Sequence, residues 1–553
     1  MSTTEAAYDY VIVGGGSAGG AVASRLAAAA PDATVLLIEA GPDGRGVAQI
    51  VDPPSWPKLA GTALDWGYSY EPTAAVAGRA IPVARGKVLG GCGATNAMLW
   101  YRGHPADYDA WEAAGAAGWN YAALLPYFRR SEDWEGGASS QRGAGGPMRI
   151  TRPPAPHPVA SALIEGAAEL GLPTLDDPNA GDNCGAALAN LNISKGRRFS
   201  VVDGYLPAWA PPPAPGQVPV GAHTQAPDPP ANLTVLTGSK ALRLGFSPAR
   251  GGAALGGTAG PQCDSVFHTV RGLVRQTRAR VQVVLALGAF GTPELLIRSG
   301  IGDPADLGRL GLPVRAALPG VGRNLQDHPV VMGMNFRARG RLGLARDNGG
   351  GAIMNWRSST AARPDLHAFV AQNMHAYPDG AARYDLDSAL SGGAEVFAIS
   401  PGLMGSVSTG YLRVRSLEAP PGRGGVEVAS GFLIQQADVD ALAESVDMIM
   451  DLAATAAYAD LIDKPLMPPG RLDRSGREAF VRENCASFFH ACGTAAMGTG
   501  PAAVVDPELN VIGTTGLRIA DASVIPVIPT GNTQAPVIAI AERAADLILG
   551  TRS

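Results

Sequence analysis

The sequence predicts an α/β fold of two interleaved domains, one of them built on a doubly wound sheet. Three observations predict it. Over residues 8–39 a short apolar strand, a glycine-rich turn, an Ala-rich helix, a second strand and an acid follow in that order, the pattern of a Rossmann-like unit. Residues 281–287 form an apolar, β-rich run that leads into a second glycine-punctuated segment, 288–302, as a sheet strand should. And 553 residues are too many for one hydrophobic core.

Composition narrows the classes of function. Hydrophobic residues make up 46% and charged residues 17%, which suits a globular chain and excludes a disordered one. A net charge of −5 leaves no basic footprint, so nucleic acid is not an expected partner. The five cysteines, Cys92, Cys184, Cys263, Cys485 and Cys492, are odd in number and irregularly spaced. That argues against a disulfide framework and for a reducing compartment. There is no CxxC pair and no His/Cys cluster, so no metal is expected. The longest apolar runs stop well short of a membrane span, so no integral membrane segment is expected. The first strand begins at about Tyr8, which leaves no room for a signal peptide. The expected location is the cytoplasm, unless a transit peptide was removed ahead of Met1. No internal repeat is found.

The N-terminal unit is a nucleotide site in outline. Residues 8–13 are the first strand, residues 20–30 the helix, and residues 35–38 the second strand. Gly14 permits the tight turn, Gly16 lets backbone amides approach a pyrophosphate, and Gly19 lets helix and strand pack closely. Ser17 and Ala18 lie between them, where the helix start offers unpaired N–H groups to phosphate. Glu39 ends the second strand, next to Ala40, and is placed to accept hydrogen bonds from a ribose diol. The fingerprint alone does not separate NAD from FAD.

Residues 84–111 carry the next dense block. Ala84-Arg85-Gly86-Lys87-Val88-Leu89-Gly90-Gly91-Cys92-Gly93-Ala94-Thr95-Asn96-Ala97 sets glycines among apolar residues. Gly90 and Gly91 would let backbone come within contact distance of a flat ring, although a surface loop has the same composition.

With this block the chain resembles the glucose-methanol-choline (GMC) oxidoreductases, a family of FAD enzymes. The resemblance runs from about Tyr8 to Gly550 and rests on separate motifs. Gly288-Ala289-Phe290-Gly291-Thr292-Pro293-Glu294-Leu295-Leu296-Ile297-Arg298-Ser299-Gly300-Ile301-Gly302 fits one family signature at every constrained position. Gly320-Val321-Gly322-Arg323-Asn324-Leu325-Gln326-Asp327-His328-Pro329 matches another segment. Residues 86–96 resemble the other signature with departures, Cys92 for a usual Ser, Gly or Thr and Thr95 for a usual aliphatic residue. No histidine stands in this block to carry a covalent flavin, so the resemblance implies non-covalent FAD. It also implies that Arg85, Gly90, Gly91, Asn96 and Ala97 join the cofactor site. The backbone near Ala241 would face the adenine, and Asp521 and Ala522 would bind the diphosphate and ribityl region.

Between the motifs, residues 161–170 read as an amphipathic helix and residues 232–237 as a strand. Residues 207–230 are a Pro-, Ala- and Gly-rich surface insertion, and residues 250–260 a Gly/Ala loop in a hairpin. Strands are expected at residues 366–371, 395–399 and 410–415, and a helix over 438–458. The resemblance implies that they belong to an α+β substrate domain whose antiparallel sheet roofs the flavin. The expected division is FAD-binding at 7–157, 231–329 and 485–553, a substrate-side segment at 158–230, and a substrate-binding domain at 330–484. His367 and His375 lie in the last, where lone histidines are more often packed than catalytic.

The C-terminal stretch carries the chemistry. Phe489-His490-Ala491-Cys492-Gly493-Thr494 supplies an imidazole, and Pro529-Thr530-Gly531-Asn532-Thr533-Gln534-Ala535-Pro536 sets a side-chain amide at a helix start. By resemblance His490 occupies the base position and Asn532 its partner position, with Thr533 beside it in the cofactor site. A neutral imidazole can take a hydroxyl proton near neutral pH, so an ordinary His490 predicts a rate that rises with pH through neutrality. An amide can orient and donate but cannot be a base. Thr530 or Asn532 is expected to cap the last helix, with Pro536 in its first turn. The implied reaction is oxidation of a small alcohol, primary and aliphatic or aromatic, with oxygen or another electron acceptor, in a monomer or homodimer.

Other readings remain open at this point. Residues 86–111 are especially similar to those of microalgal fatty-acid photodecarboxylases. Where those enzymes place a Cys-Arg pair, this chain has Ile399 and Ser400. Flavin-containing hydroxynitrile lyases share the family fold, and a flavin-binding protein without catalysis is the alternative of another class.

Overall fold

The computed structural model describes residues 6–206, 231–248, 260–390, 393–422 and 424–551. The insertion expected at 207–230 and almost all of the loop expected at 250–260 lie outside the described residues.

The nucleotide unit forms from the segments expected of it. Strand β1 (Ala6–Val13), helix α1 (Ser17–Ala29) and strand β2 (Val35–Ile38) are joined by short turns. All four residues of β2 are buried, as befits a parallel strand covered on both faces. Helix α1 starts at Ser17 rather than at residue 20, with Gly16 as an extended N-cap. Gly19 therefore sits inside the helix. A Cβ there would stand 1.8 Å from the carbonyl oxygen of Gly14, itself at φ +105°, so only glycine lets helix and turn approach this closely.

Four more strands complete most of this seven-stranded sheet: β3 (Leu233–Leu236), β4 (Ala241–Ser247), β5 (Gln262–Val270) and β6 (Leu273–Leu285). The order is β3-β2-β1-β6-β5-β4, with Leu517–Ile519 beside β6. Strands β3, β2, β1, β6 and Leu517–Ile519 run parallel, and β4 to β6 form an antiparallel meander. β6 is longer than its apolar core 281–287 suggests, because residues Leu273–Arg278 extend it along β5. It leads directly to helix α2 (Gly288–Arg298).

The second sheet has eight strands. Those after α2 are β7 (Pro329–Val331), β8 (Met334–Ala338), β9 (Ala352–Trp356), β10 (Leu366–Ala371), β11 (Val396–Leu403), β12 (Ile462–Met467) and β13 (Cys485–Ser487). The order is β12-β8-β11-β10-β9 followed by Gly185–Leu188, with β7 bridging β11 to β13. Every pairing is antiparallel. The strand expected near 410–415 is present as Tyr411–Val414, but it pairs with Val426–Ala429 in a separate ribbon. The helix expected over 438–458 is two: Gln436–Leu452 and Ala456–Ala459. The break falls where Thr455 turns extended and its hydroxyl donates to the Leu452 carbonyl at 2.7 Å.

Helix α3 (Gln534–Leu549) closes the chain. Pro536 lies in its first turn as expected. The cap differs: Thr533 is the N-cap and no side chain caps the helix. Thr530 instead donates to Asp107 at 2.8 Å, and Asn532 is drawn to His490.

Candidate active site

Two cavities meet between the sheets, sharing Arg85, Gly86, Cys92, Phe489, Thr533 and Gln534 in their walls. The first opens at the ends of the parallel strands. Gly14, Gly16, Ser17, Ala18, Glu39, Ala40, Gly91, Ala241, Asp521 and Ala522 line it, together with Arg85 and Thr533. Gly19 and Gly90 do not line it. Gly19 packs under Gly14, and the Gly90 N–H donates to the Gly15 carbonyl at 2.7 Å. Asn96 and Ala97 line the second cavity instead, with His490 and Asn532.

The acids of the first cavity are already partnered. The Glu39 carboxylate accepts the N–H groups of Gly15 at 2.9 Å and Gly41 at 2.7 Å. Burial pushes its pKa up to about 7 against these donors. Each oxygen keeps a second lone pair. Asp521 accepts from the Gly288 N–H at 2.9 Å, the Thr292 hydroxyl at 2.6 Å and the Ser523 N–H at 2.8 Å. It therefore fastens the start of α2 to the C-terminal segment while its side of the cavity stays lined.

His490 and Asn532 stand together in the second cavity. His490 Nε2 lies 2.9 Å from Asn532 Nδ2. Its ring does not pack beneath Phe489; it stacks on Phe488, with centroids 5.5 Å apart and planes 5° from parallel. His490 is 8% exposed. Burial, then the neighbouring His328, Arg85 and His367, hold its pKa well below the ordinary histidine value. The expected titration near neutrality is thereby corrected: the imidazole is neutral throughout the neutral range.

The proton position on His490 is coupled to that on His328. The two Nδ1 atoms are 2.9 Å apart, so one donates and the other accepts. His328 is fully buried and neutral, its pKa depressed to about 3 chiefly by burial. Its Nε2 has no hydrogen-bond partner, but the carbonyls of Pro529 and Met404 face the ring. A proton facing carbonyl oxygens costs less than a lone pair facing them. With the proton of His328 on Nε2, its Nδ1 accepts from His490 Nδ1–H, and His490 Nε2 keeps its lone pair towards the Asn532 amide; the contact itself fixes only that one ring donates and the other accepts.

The turn that carries His490 is strained and tied down. Phe489 has φ +67°, a left-handed conformation unfavourable for a bulky residue. The Arg85 guanidinium donates to its carbonyl at 2.6 Å, and its N–H donates to the Ser487 hydroxyl at 2.8 Å. Buried Asp327 accepts the His490 and His328 N–H groups, each at 2.8 Å, through one oxygen. The other oxygen takes the Tyr70 hydroxyl at 2.6 Å and the Ser487 hydroxyl at 2.5 Å.

Sequence reasoning passed over the roles of Asp327, His328, Phe369 and Phe488. The first two were visible within the 320–329 motif. The aromatic wall was not, because Phe488 meets Phe369 at 5.4 Å across more than a hundred residues of chain, and Phe369 meets His375 at 5.7 Å. His375 does line the cavity, its Nδ1 3.2 Å from the Ser400 hydroxyl. His367 does not line it and bonds Asn355 at 2.7 Å. Among the described residues no cluster of His, Cys, Asp and Glu could hold a metal, and no helix is long and apolar enough to cross a membrane.

A parallel sheet feeding one cavity, and an antiparallel sheet covering a His–Asn pair in the next, define a dinucleotide-dependent oxidoreductase architecture. The comparisons with known proteins agree. Profiles of the GMC oxidoreductase family match residues 8–211 and 226–330, and 406–541. The oxygen-dependent choline dehydrogenase of Brucella suis biovar 1 (strain 1330) is 32% identical over 562 residues, 98% of this chain and 95% of that protein. The mitochondrial choline dehydrogenase of Homo sapiens is 32% identical over 575 residues, 98% of this chain and 90% of that one. The crystal structure of pyridoxine 4-oxidase from Mesorbium loti superposes with a TM-score of 0.86 at 31% identity, covering 99% of this chain and 100% of that one. Formate oxidase of Aspergillus oryzae RIB40 shares the fold, with a TM-score of 0.84 at 24% identity over 99% of both chains.

This chain belongs to the GMC oxidoreductase family, and its cofactor is FAD. The residues present fit that group. Helices α1 and α3 both begin without a side-chain cap or an acid in the first turn, and both open on the first cavity. Free N–H groups and positive helix ends suit a diphosphate and an electron-rich ring edge. Gly91, at φ +53°, would put a Cβ 2.8 Å from Gly16 Cα, so only glycine leaves this part of the cradle open.

Proposed function

We propose that this protein oxidises a small alcohol, primary and aliphatic or aromatic, to the aldehyde, with His490 as base and Asn532 as its partner. The single observation that carries the reading is the His490–Asn532 contact of 2.9 Å where the two cavities join. FAD, when bound, supplies the acceptor for the hydride that leaves the carbinol carbon. The protein supplies the rest. A hydroxyl that parts His490 from Asn532 donates to Nε2 and accepts from the Asn532 amide, which holds its C–H in one direction. His490 then takes the hydroxyl proton at Nε2, and the positive charge it acquires is shared with His328 through Nδ1–H. The uncapped end of α3 would offer its N–H groups to an electron-rich edge of the cofactor when it is bound. Gly14, Gly16, Ser17, Ala18, Glu39, Ala40, Arg85, Gly91, Asn96, Ala97, Ala241, Asp521, Ala522, Asn532 and Thr533 are assigned to FAD, with Gly19 and Gly90 shaping the cradle. FAD is held without a covalent bond and its electrons pass to oxygen or another acceptor. Segments 7–157, 231–329 and 485–553 form the FAD part, and 158–230 with 330–484 the substrate part.

The test is anaerobic flavin reduction by benzyl alcohol in the dark. His490→Ala is expected to slow it by about two to four orders of magnitude, the contribution of a positioned base. Asn532→Ala should slow it less, since the proton acceptor remains. If no alcohol bleaches the flavin in darkness, yet blue light converts palmitate to a hydrocarbon, the photodecarboxylase reading replaces this one.

A further inference from the structure

The antiparallel sheet gives the second cavity a largely apolar wall, with Val330, Met332, Ala352 and Phe369 along it. Ser487, in β13, also lines it, but its hydroxyl is engaged by Asp327 and by the Phe489 N–H. Beyond β10 the chain adds two polar residues to the lining, Asn373 and His375. Asn373 is exposed, whereas His375 is half-buried. The backbone of His375 is taken up by Asn335: its N–H donates to Asn335 Oδ1, and its carbonyl accepts from Asn335 Nδ2, each at 3.1 Å. The ring is therefore what His375 brings to the cavity. Phe369 packs against it edge-on at 5.7 Å, and its Nδ1 lies 3.2 Å from the Ser400 hydroxyl. No hydrogen bond among the described residues reaches its Nε2, and that atom is not sealed in the interior. It is the polar atom that His375 shows to the cavity.

Ser400 decides what that atom offers. Ser400 is fully buried, and its oxygen accepts the Gly333 N–H at 3.4 Å. Among the described residues its own proton meets no acceptor but His375 Nδ1. A buried hydroxyl without an acceptor is costly, so the proton is directed to Nδ1. The imidazole is neutral, since burial depresses its pKa to about 4. With Nδ1 accepting, the proton of the neutral ring sits on Nε2. The substrate side of the cavity thus holds a neutral donor, which a wholly apolar ligand leaves unpaired. Two phenylalanines link this donor to the base. His490 stacks on Phe488 at 5.5 Å, Phe488 meets Phe369 at 5.4 Å, and Phe369 meets His375. A molecule that gives its hydroxyl to His490 and lies along these rings brings its far end to His375.

We propose that His375 determines specificity: its Nε2–H receives an oxygen acceptor, of an ether, carbonyl or hydroxyl, at the far end of an alcohol whose middle is apolar. The inference rests on the His490 reading above. The test compares octanol with the straight-chain ethers of the same length in which oxygen replaces one carbon between the fourth and the seventh. Shape is kept and only the acceptor moves. With the FAD-loaded wild type under anaerobic conditions, one of these ethers is expected to exceed octanol in kcat/KM for flavin reduction by about fivefold, the effect of one neutral hydrogen bond. The gain should lie in KM more than in kcat, because the contact is made in the ground state and kept in the transition state. His375→Leu should abolish the advantage, and His375→Gln, which keeps an N–H to donate, should retain part of it. Octanol ahead of every ether in the wild type overturns the inference, and that result needs no variant to fold. An ether advantage that persists unchanged in His375→Leu overturns it as well. If octanol, the ethers and benzyl alcohol all fail to reduce the flavin, the His490 reading has failed instead. The same comparison is then read from binding, as the concentration at which each compound half-saturates its change in the flavin absorption spectrum, with the same outcomes for and against.

Discussion

At the scale of residues, one imidazole orders another. Neutral His490 can accept a proton at Nε2 only if its Nδ1 bears hydrogen, and the proposed base role requires His328 to accept that hydrogen at its own Nδ1, 2.9 Å away. His328→Leu removes the acceptor, whereas His328→Asn keeps an oxygen where Nδ1 stood. Flavin reduction is expected to slow by about tenfold to a hundredfold in His328→Leu, in kcat more than in KM, and to recover most of that loss in His328→Asn. Equal losses in both variants would show that packing, not the tautomer, is what His328 contributes. The wild-type rate should be flat between about pH 6 and pH 8. The neutral form is the active one, and burial moves the loss of that form to acid well below the ordinary value. A limb rising through pH 7 would contradict this. His490 and Asn532 were legible in the sequence because motifs flank them. The tautomer was not, since it depends on a contact between residues 162 positions apart and on carbonyls no motif records.

At the scale of elements, hydrophobic pattern and turn chemistry located the strands and most helices, while boundaries followed tertiary contacts. Helix α1 begins three residues early because Gly19 can lie inside it, against Gly14. Helix α3 goes uncapped because Thr530 and Asn532, the two side chains that fit a cap, bond to Asp107 and His490. The element on which the proposed function depends most is the turn after β13, where Phe489 is held at positive φ. Asp327 is its clamp, and its four donors are not alike. The Tyr70 and Ser487 hydroxyls can rotate to accept as well as donate, but the N–H groups of His328 and His490 can only donate. Asp327→Asn should therefore keep its oxygen towards the two N–H groups and cost within about 1 kcal/mol. Asp327→Ala strands both of them and should cost about 3 kcal/mol or more, with loss of alcohol-dependent flavin reduction. Denaturant unfolding of the two variants checks this, and similar losses in both would mean that the carboxylate charge, not the count of acceptors, secures the turn.

At the scale of the whole molecule, the two sheets share a cavity rather than a continuous core surface at the point where chemistry is expected. The parallel sheet contributes the ends of β1 and β2, the antiparallel sheet contributes Val330 and Phe369, and the C-terminal segment supplies Phe489 and Thr533 at the junction. That three-part wall could not be read from the chain in order, since its parts come from segments hundreds of residues apart, although the fold class of each part could. FAD, when bound, would contact walls from all three parts, and binding it adds to stability by mass action. A ligand at a thousand times its Kd contributes about 4 kcal/mol, which in a chain of this length is a melting shift of about 3 °C. Because no histidine stands in residues 86–96 to link the flavin, acid treatment should release FAD into solution. The resulting apoprotein should melt about 3 °C or more below the yellow protein, and added FAD should restore the difference. Flavin that stays with the precipitated protein would show a covalent link. Flavin that is released without any change in melting would show that the two sheets are held together by their own contacts, with the cofactor a guest in a site already rigid.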